Sequence, residues 1–197
     1  MGRAAKITNV LSSNKWYHGT TLDGYNNIKE RGVIVDYNIG HQLDFGFGFY
    51  LAPTAKMAES YISRTMGWND SDEPLVIMEY EFTPTEWEKN DGCVIGAYPA
   101  FDDEFAEFVF LNRTENIFGE KPHPFDLVYG VMSDSIPTRE IMEYKAGTKT
   151  REQVLEALKK SNSMKQLSLH KQELCDKIIL CRAYLYDPAT DSREELH

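Results

Sequence analysis

The chain has 197 residues, a formal net charge of −10, and 42% hydrophobic, 12% aromatic and 26% charged residues. That length accommodates one domain with a buried core, and the composition excludes the disordered and low-complexity classes. The acidic balance, with basic residues scattered rather than striped, argues against non-specific binding to a phosphate backbone, and three cysteines without a CxxC pair argue against a disulfide framework or a zinc knuckle.

No stretch approaches the roughly 18 apolar residues a membrane span requires, and the first fifteen residues lack a signal-peptide core. These features predict a cytoplasmic protein without membrane association. Proline and glycine are spread along the chain, so the reading is one domain over 1–197, with a core at about 15–186 and a polar, acidic, frayed tail at 187–197.

In chain order, Lys15 to Thr20 reads as a short strand, and Leu22, Tyr25 and Ile28 recur at helical spacing until Gly32 stops the helix. A strand is expected near Val33 to Val35. After the glycine-rich run 44–52, Pro53 and Thr54 start a helix whose apolar face is Met57, Ala58, Tyr61 and Ile62. Leu75 to Phe82, lying between Pro74 and Pro84, is the clearest strand and is expected to be central.

Phe101, Phe105, Phe108 and Asn112 mark an amphipathic helix closing near Arg113. A strand follows at Phe125 to Val131. Two helices are expected at Pro137 to Lys145 and Thr150 to Lys160, the second opened by a capping box between Thr150 and Gln153. Strands at Gln166 to His170 and Ile178 to Tyr186 complete an α+β chain with a mixed or antiparallel sheet, because strands and helices interleave irregularly.

Two segments carry candidate chemistry. In Trp16-Tyr17-His18-Gly19-Thr20, an imidazole stands beside a backbone that a ligand can approach, since Gly19 has no side chain to block it. In Asp44-Phe45-Gly46-Phe47-Gly48-Phe49-Tyr50, the glycines fit neither G-x-G-x-x-G nor a Walker loop, so phosphate cradling is rejected. Taken alone, each segment reads as ordinary packing: a satisfied histidine before a turn, and an aromatic core. His41, His123 and His170 have no metal-ligand spacing with the cysteines, so no metal is expected.

Together the segments resemble the catalytic core of the poly(ADP-ribose) polymerase branch of the ADP-ribosyltransferases. The matching letters are His18-Gly19-Thr20, Gly32-Val33-Ile34, Phe45-Gly46-Phe47-Gly48-Phe49-Tyr50-Leu51-Ala52, and Tyr61 eleven residues beyond Tyr50. Phe108-Val109, Asn112-Arg113 and Phe125 to Gly130 are similar to an uncharacterised family of small bacterial proteins of the same superfamily.

The resemblance implies a single-domain ADP-ribosyltransferase fold, a split mixed or antiparallel sheet with flanking helices around a cleft for NAD. His18 would bind the adenosine ribose, the Gly19 backbone the carboxamide, and Tyr50 and Tyr61 the two faces of the nicotinamide ring, with Thr20, Phe45 and Gly48 lining the cleft. Arg113 would either meet the pyrophosphate or serve as a helix-end cation.

Gln166 stands where the family carries a glutamate, giving a central set of His18, Tyr50 and Gln166 in which the last is uncharged and cannot act as a base. Ala58 and Phe47 replace a serine and a lysine common in the family. Asp134 and Glu173 are the alternative carboxylates, read respectively as a turn cap and a solvated side chain.

The implied activity is NAD-dependent mono-ADP-ribosyl transfer to a macromolecule, a protein rather than a nucleic acid, in a toxin-like setting with a neutralising antitoxin-type partner by analogy. NAD glycohydrolysis and a catalytically silent module binding NAD, ADP-ribose or a partner are the alternatives.

Overall fold

A computed structural model of the chain describes residues 3–67, 73–114, 123–133, 137–160 and 162–197. The elements in order are α1 (Arg3–Leu11), β1 (Lys15–Thr21), α2 (Leu22–Arg31), a 3-10 turn (Val35–Asn38), β2 (Phe49–Leu51), α3 (Ala55–Gly67), β3 (Leu75–Glu81), α4 (Pro84–Asp91) and β4 (Ile95–Tyr98). There follow α5 (Asp103–Thr114), β5 (Leu127–Val131), α6 (Pro137–Lys145), α7 (Arg151–Leu158), β6 (Lys165–Leu169), α8 (Gln172–Cys175), β7 (Ile179–Asp187) and β8 (Ser192–Leu196). The architecture is mixed α+β with two four-stranded sheets.

The chain divides into two compact units, one made of Met1–Ile34, Tyr50–Gly92 and Gln172–His197, the other of Val35–Phe49 and Cys93–Lys171. In the first unit the sheet order is β1-β3-β7-β8, every pair antiparallel, so β3 has a neighbour on both sides. Its run Leu75–Tyr80 is buried throughout, as expected of a strand covered on both faces.

One face of that sheet packs against α3 through Ile77, Tyr184, Ala58 and Ile62. The other buries Trp16, which stacks on Phe82, itself stacked on Trp87 of α4. Burying a side chain of this size contributes roughly 1.5–3 kcal/mol.

Local signals place the helix ends. Thr21 accepts from the Gly24 amide to cap α2, and Gly32 ends it at φ 77, where its amide reaches the Ile28 carbonyl. Thr150 and Gln153 form the reciprocal capping box of α7.

In the second unit β4 pairs with β5 in parallel and β5 with β6 antiparallel, within the order β2-β6-β5-β4. Its core is aromatic: Phe45, Tyr98, Phe108, Phe125 and His123 contact one another ring to ring.

Two expectations are corrected. No strand forms at 33–35, where Val33 and Val35 are buried and Ile34 is 45% exposed; the chain leaves α2 through the positive φ of Gly32 and enters a 3-10 turn at Val35. The tail is not frayed, because β8 pairs with β7 from Tyr186↔Arg193 to Ala183↔Leu196. Its turn is made by Asp187, which accepts from the Ala189 amide and the Thr190 hydroxyl, and by Asp191 at φ 54.

Candidate functional site

His18 stands on β1 opposite Met78 of β3, and its Nδ1 lies 2.8 Å from the carbonyl oxygen of Tyr50. A carbonyl only accepts, so Nδ1 carries the hydrogen, and in the neutral ring Nε2 is the acceptor. Burial lowers the His18 pKa, and the Tyr50 carbonyl opposes that shift without cancelling it. The bond is held in place by the neighbouring bridge, in which Tyr17 and Ala52 exchange two backbone hydrogen bonds of 2.9 and 2.6 Å.

Gly19 is required by what lies over it. A Cβ there would stand 2.9 Å from the Ala58 carbonyl oxygen and 3.0 Å from the Ile62 Cβ, so β1 and α3 approach as closely as they do only because the side chain is missing. Thr20 fills the space beside Gly24 at the start of α2. Tyr61 stands 40% exposed on α3, one turn from the residues that touch Gly19, and Tyr50 is half-buried on β2. Within the first unit His18 and Tyr50 are in contact, and Gly19 lies against α3, the helix that carries Tyr61.

Phe45, Gly48, Arg113 and Gln166 belong to the second unit, where Arg113 and Gln166 converge on a residue with no role assigned from sequence. Asp44, 5% exposed, receives the Arg113 guanidinium through Nε at 2.9 Å and Nη2 at 2.6 Å. It also accepts from the Ser133 amide at 2.9 Å, from the Ser133 hydroxyl at 2.6 Å and from Gln166 Nε2 at 3.3 Å. Arg113 is thus a buried partner of a carboxylate, with Nη1 turned to the Thr138 hydroxyl, and not an open phosphate ligand.

Because Asp44 accepts only, its contact fixes the Gln166 amide with the nitrogen toward the carboxylate. Phe45 is fully buried, so its side chain serves packing.

The glycine-rich run is held by side chains. Asn38 gives and takes one hydrogen bond each with the Gly48 carbonyl and amide, His123 Nε2 lies 3.0 Å from the Phe45 carbonyl oxygen, and His170 Nδ1 lies 2.7 Å from that of Phe47. His170 Nε2 in turn accepts from the Ser168 hydroxyl at 2.7 Å. That order of groups is the one seen between a nucleophile and its base, but Ser168 and His170 are 0% and 2% exposed, which makes the pair a loop anchor. Gly48 lies flat against the Leu169 carbonyl, 2.6 Å from where a Cβ would be.

Of the alternative carboxylates, Glu173 is exposed on α8, and Asp134 lies outside the described residues. Among the described residues no group of three or more His, Cys, Asp or Glu is placed to hold a metal ion, and no helix is long and apolar enough to cross a membrane.

A family model described as protein of unknown function (DUF3990) matches residues 16–179, most of the chain, and the chain belongs to that family. No curated protein matches it.

Proposed function

We propose that this member of the DUF3990 family binds NAD through His18, Gly19, Tyr50 and Tyr61 and breaks the nicotinamide–ribose bond, the fold being of the ADP-ribosyltransferase type. The observation that carries the reading is the His18–Tyr50 hydrogen bond, which joins the two segments whose letters resemble that family and fixes the imidazole tautomer. A neutral His18 presents Nε2 as an acceptor suited to a ribose hydroxyl, and a backbone amide and carbonyl such as those of Gly19 are groups of the kind that pair with a carboxamide. Tyrosine rings suit a flat cationic pyridinium, each adding about 0.5–1.5 kcal/mol beyond area burial.

In the reaction the bond between ribose C1′ and the pyridinium nitrogen breaks, and its electron pair goes to the ring, releasing neutral nicotinamide. The oxocarbenium-like ribose takes a nucleophile, which gives up a proton. A macromolecular acceptor makes this mono-ADP-ribosyl transfer, in the cytoplasm where NAD is abundant; a protein acceptor and a neutralising partner remain part of that proposal by analogy.

A second reading, NAD glycohydrolysis, is favoured by one observation: Gln166 is uncharged and its amide is engaged by Asp44, so no carboxylate stands at 166 to activate an acceptor. Isotope-labelled NAD incubated with the protein, with and without cell extract, separates the two. Label on a macromolecule supports transfer, free ADP-ribose in buffer supports hydrolysis, and binding without nicotinamide release supports a silent module.

A further inference from the structure

Within the first unit, α3 carries a buried charge that neither reading uses. Glu59 is 3% exposed, yet its carboxylate is fully engaged: Oε1 accepts from the Tyr184 hydroxyl at 2.9 Å and from Arg193 Nε at 2.7 Å, and Oε2 accepts from Arg193 Nη2 at 2.9 Å. The pairing is bidentate and links helix α3 to strand β8, 134 residues further along the chain.

The β7–β8 turn is built around that guanidinium. Asp191 adopts φ 54, the one positive φ outside glycine among the described residues, and its carbonyl accepts from Arg193 Nη1 at 3.1 Å. The Asp191 carboxylate accepts from Arg193 Nη2 and from the Tyr186 hydroxyl, each at 3.2 Å, while the guanidinium lies over the Tyr186 ring at 5.5 Å. A left-handed aspartate is tolerated only where the surroundings compensate for it. Here every nitrogen of Arg193 is aimed by the turn or by Glu59.

We infer that Arg193 is a positioning residue, acting through Glu59 to set the register of α3 against β1. Glu59 is next to Ala58, whose carbonyl rests on Gly19 beside His18, and two residues from Tyr61. A rotation or slide of α3 would change the distance of Tyr61 from His18. The pair is buried on the Glu59 side alone, the Arg193 side chain being 44% exposed, and an ion pair on a buried carboxylate is better attested as a specifier of register than as a source of net stability. The inference rests on the NAD reading for its consequence and on the clamp geometry alone for its cause.

The test measures nicotinamide release from NAD, melting temperature and amide exchange in α3 and β3 for the wild type, Arg193→Gln, Arg193→Lys and the paired apolar variant Glu59→Leu/Arg193→Leu. The paired variant leaves no buried charge unpartnered, the Asp191 carboxylate being exposed, and so stays folded if the single variants do not. The expected result is a drop in kcat/KM on the order of 10²-fold for Arg193→Gln and the paired variant. Arg193→Lys should recover part of it, since an ammonium restores charge without the two-pronged geometry. Exchange should rise in α3 but not in β3.

Unchanged kcat/KM in folded Arg193→Gln and paired variants overturns the inference, as does unchanged α3 exchange. If the wild type releases no nicotinamide, the NAD reading fails, and α3 exchange alone decides the clamp: a rise upholds it, no change overturns it.

Discussion

Gln166 is 5% exposed with its amide nitrogen 3.3 Å from Asp44, so a carboxylate placed there would face another where water is largely excluded. Arg113 supplies a single positive charge, already matched by Asp44. A glutamate at 166 would therefore have its folded pKa raised by its neighbour and by burial. Such a group costs little below the unfolded value of about 4.3 and increasingly more as pH rises toward its folded value. Gln166→Glu should then lose of order 1–3 kcal/mol relative to wild type at pH 8 and far less at pH 4.5. Urea midpoints at the two pH values measure this, and an equal cost at both would contradict it.

His18 gives the opposite slope. Its pKa is lowered in the fold, so the folded state binds fewer protons than the unfolded chain. The stability this contributes is present above the unfolded value of about 6.5 and is lost as pH falls below it. Wild type should lose more stability than His18→Gln between pH 7.5 and 5.5, read from denaturation midpoints. NAD affinity should hold through the upper part of this range and fall only at lower pH, once the folded His18 itself is protonated and Nε2 donates where it had accepted.

At the scale of elements, the run 44–48 is an irregular segment whose polar groups are satisfied from elsewhere in its unit. Asp44 takes Arg113, Ser133 and Gln166; Phe45 and Phe47 offer carbonyls to His123 and His170; Gly48 pairs with Asn38. Asp44→Ala would leave the Arg113 guanidinium buried without its carboxylate, which should cost about 3–5 kcal/mol, measured by chemical denaturation. A loss under 1 kcal/mol would mean that Arg113 has another route to solvent.

None of these partners lies within 20 residues of Asp44 except Asn38, and no local spacing announces them, so this hub was illegible in the sequence. Elements with a local cause were legible: β3 between two prolines, α7 with its capping box, α2 with its glycine stop. β8 was not, since Ser192–Leu196 has no alternation of apolar residues and owes its place to pairing with β7 and to the Arg193–Glu59 clamp. The run Val33–Val35 misled in the other direction, its β-branched residues leading from the end of α2 into a 3-10 turn with Ile34 exposed between buried Val33 and Val35.

The whole molecule carries a formal charge of −10, and NAD bears an anionic pyrophosphate. Long-range repulsion should therefore slow its approach at low ionic strength and fade once the Debye length shortens to about 8 Å. KM for NAD should fall as salt rises from about 0.01 to 0.15 M, whereas a rising KM would point to local cations at the site. The family match ends at residue 179, before the strand that holds Arg193, so the clamp is a feature of this chain read from its own geometry.

The central claim is that His18 and Tyr50 together form an NAD-cleaving site. It is tested most directly by nicotinamide release from NAD by the purified wild type, His18→Ala and Tyr50→Ala. The Tyr50 substitution removes the ring but keeps the carbonyl that orients His18, so it separates stacking from positioning. The account predicts release by the wild type and a loss on the order of 10²-fold or more in each variant, both still folded. Release that survives both substitutions, or a wild type that neither binds NAD nor releases nicotinamide, would contradict it.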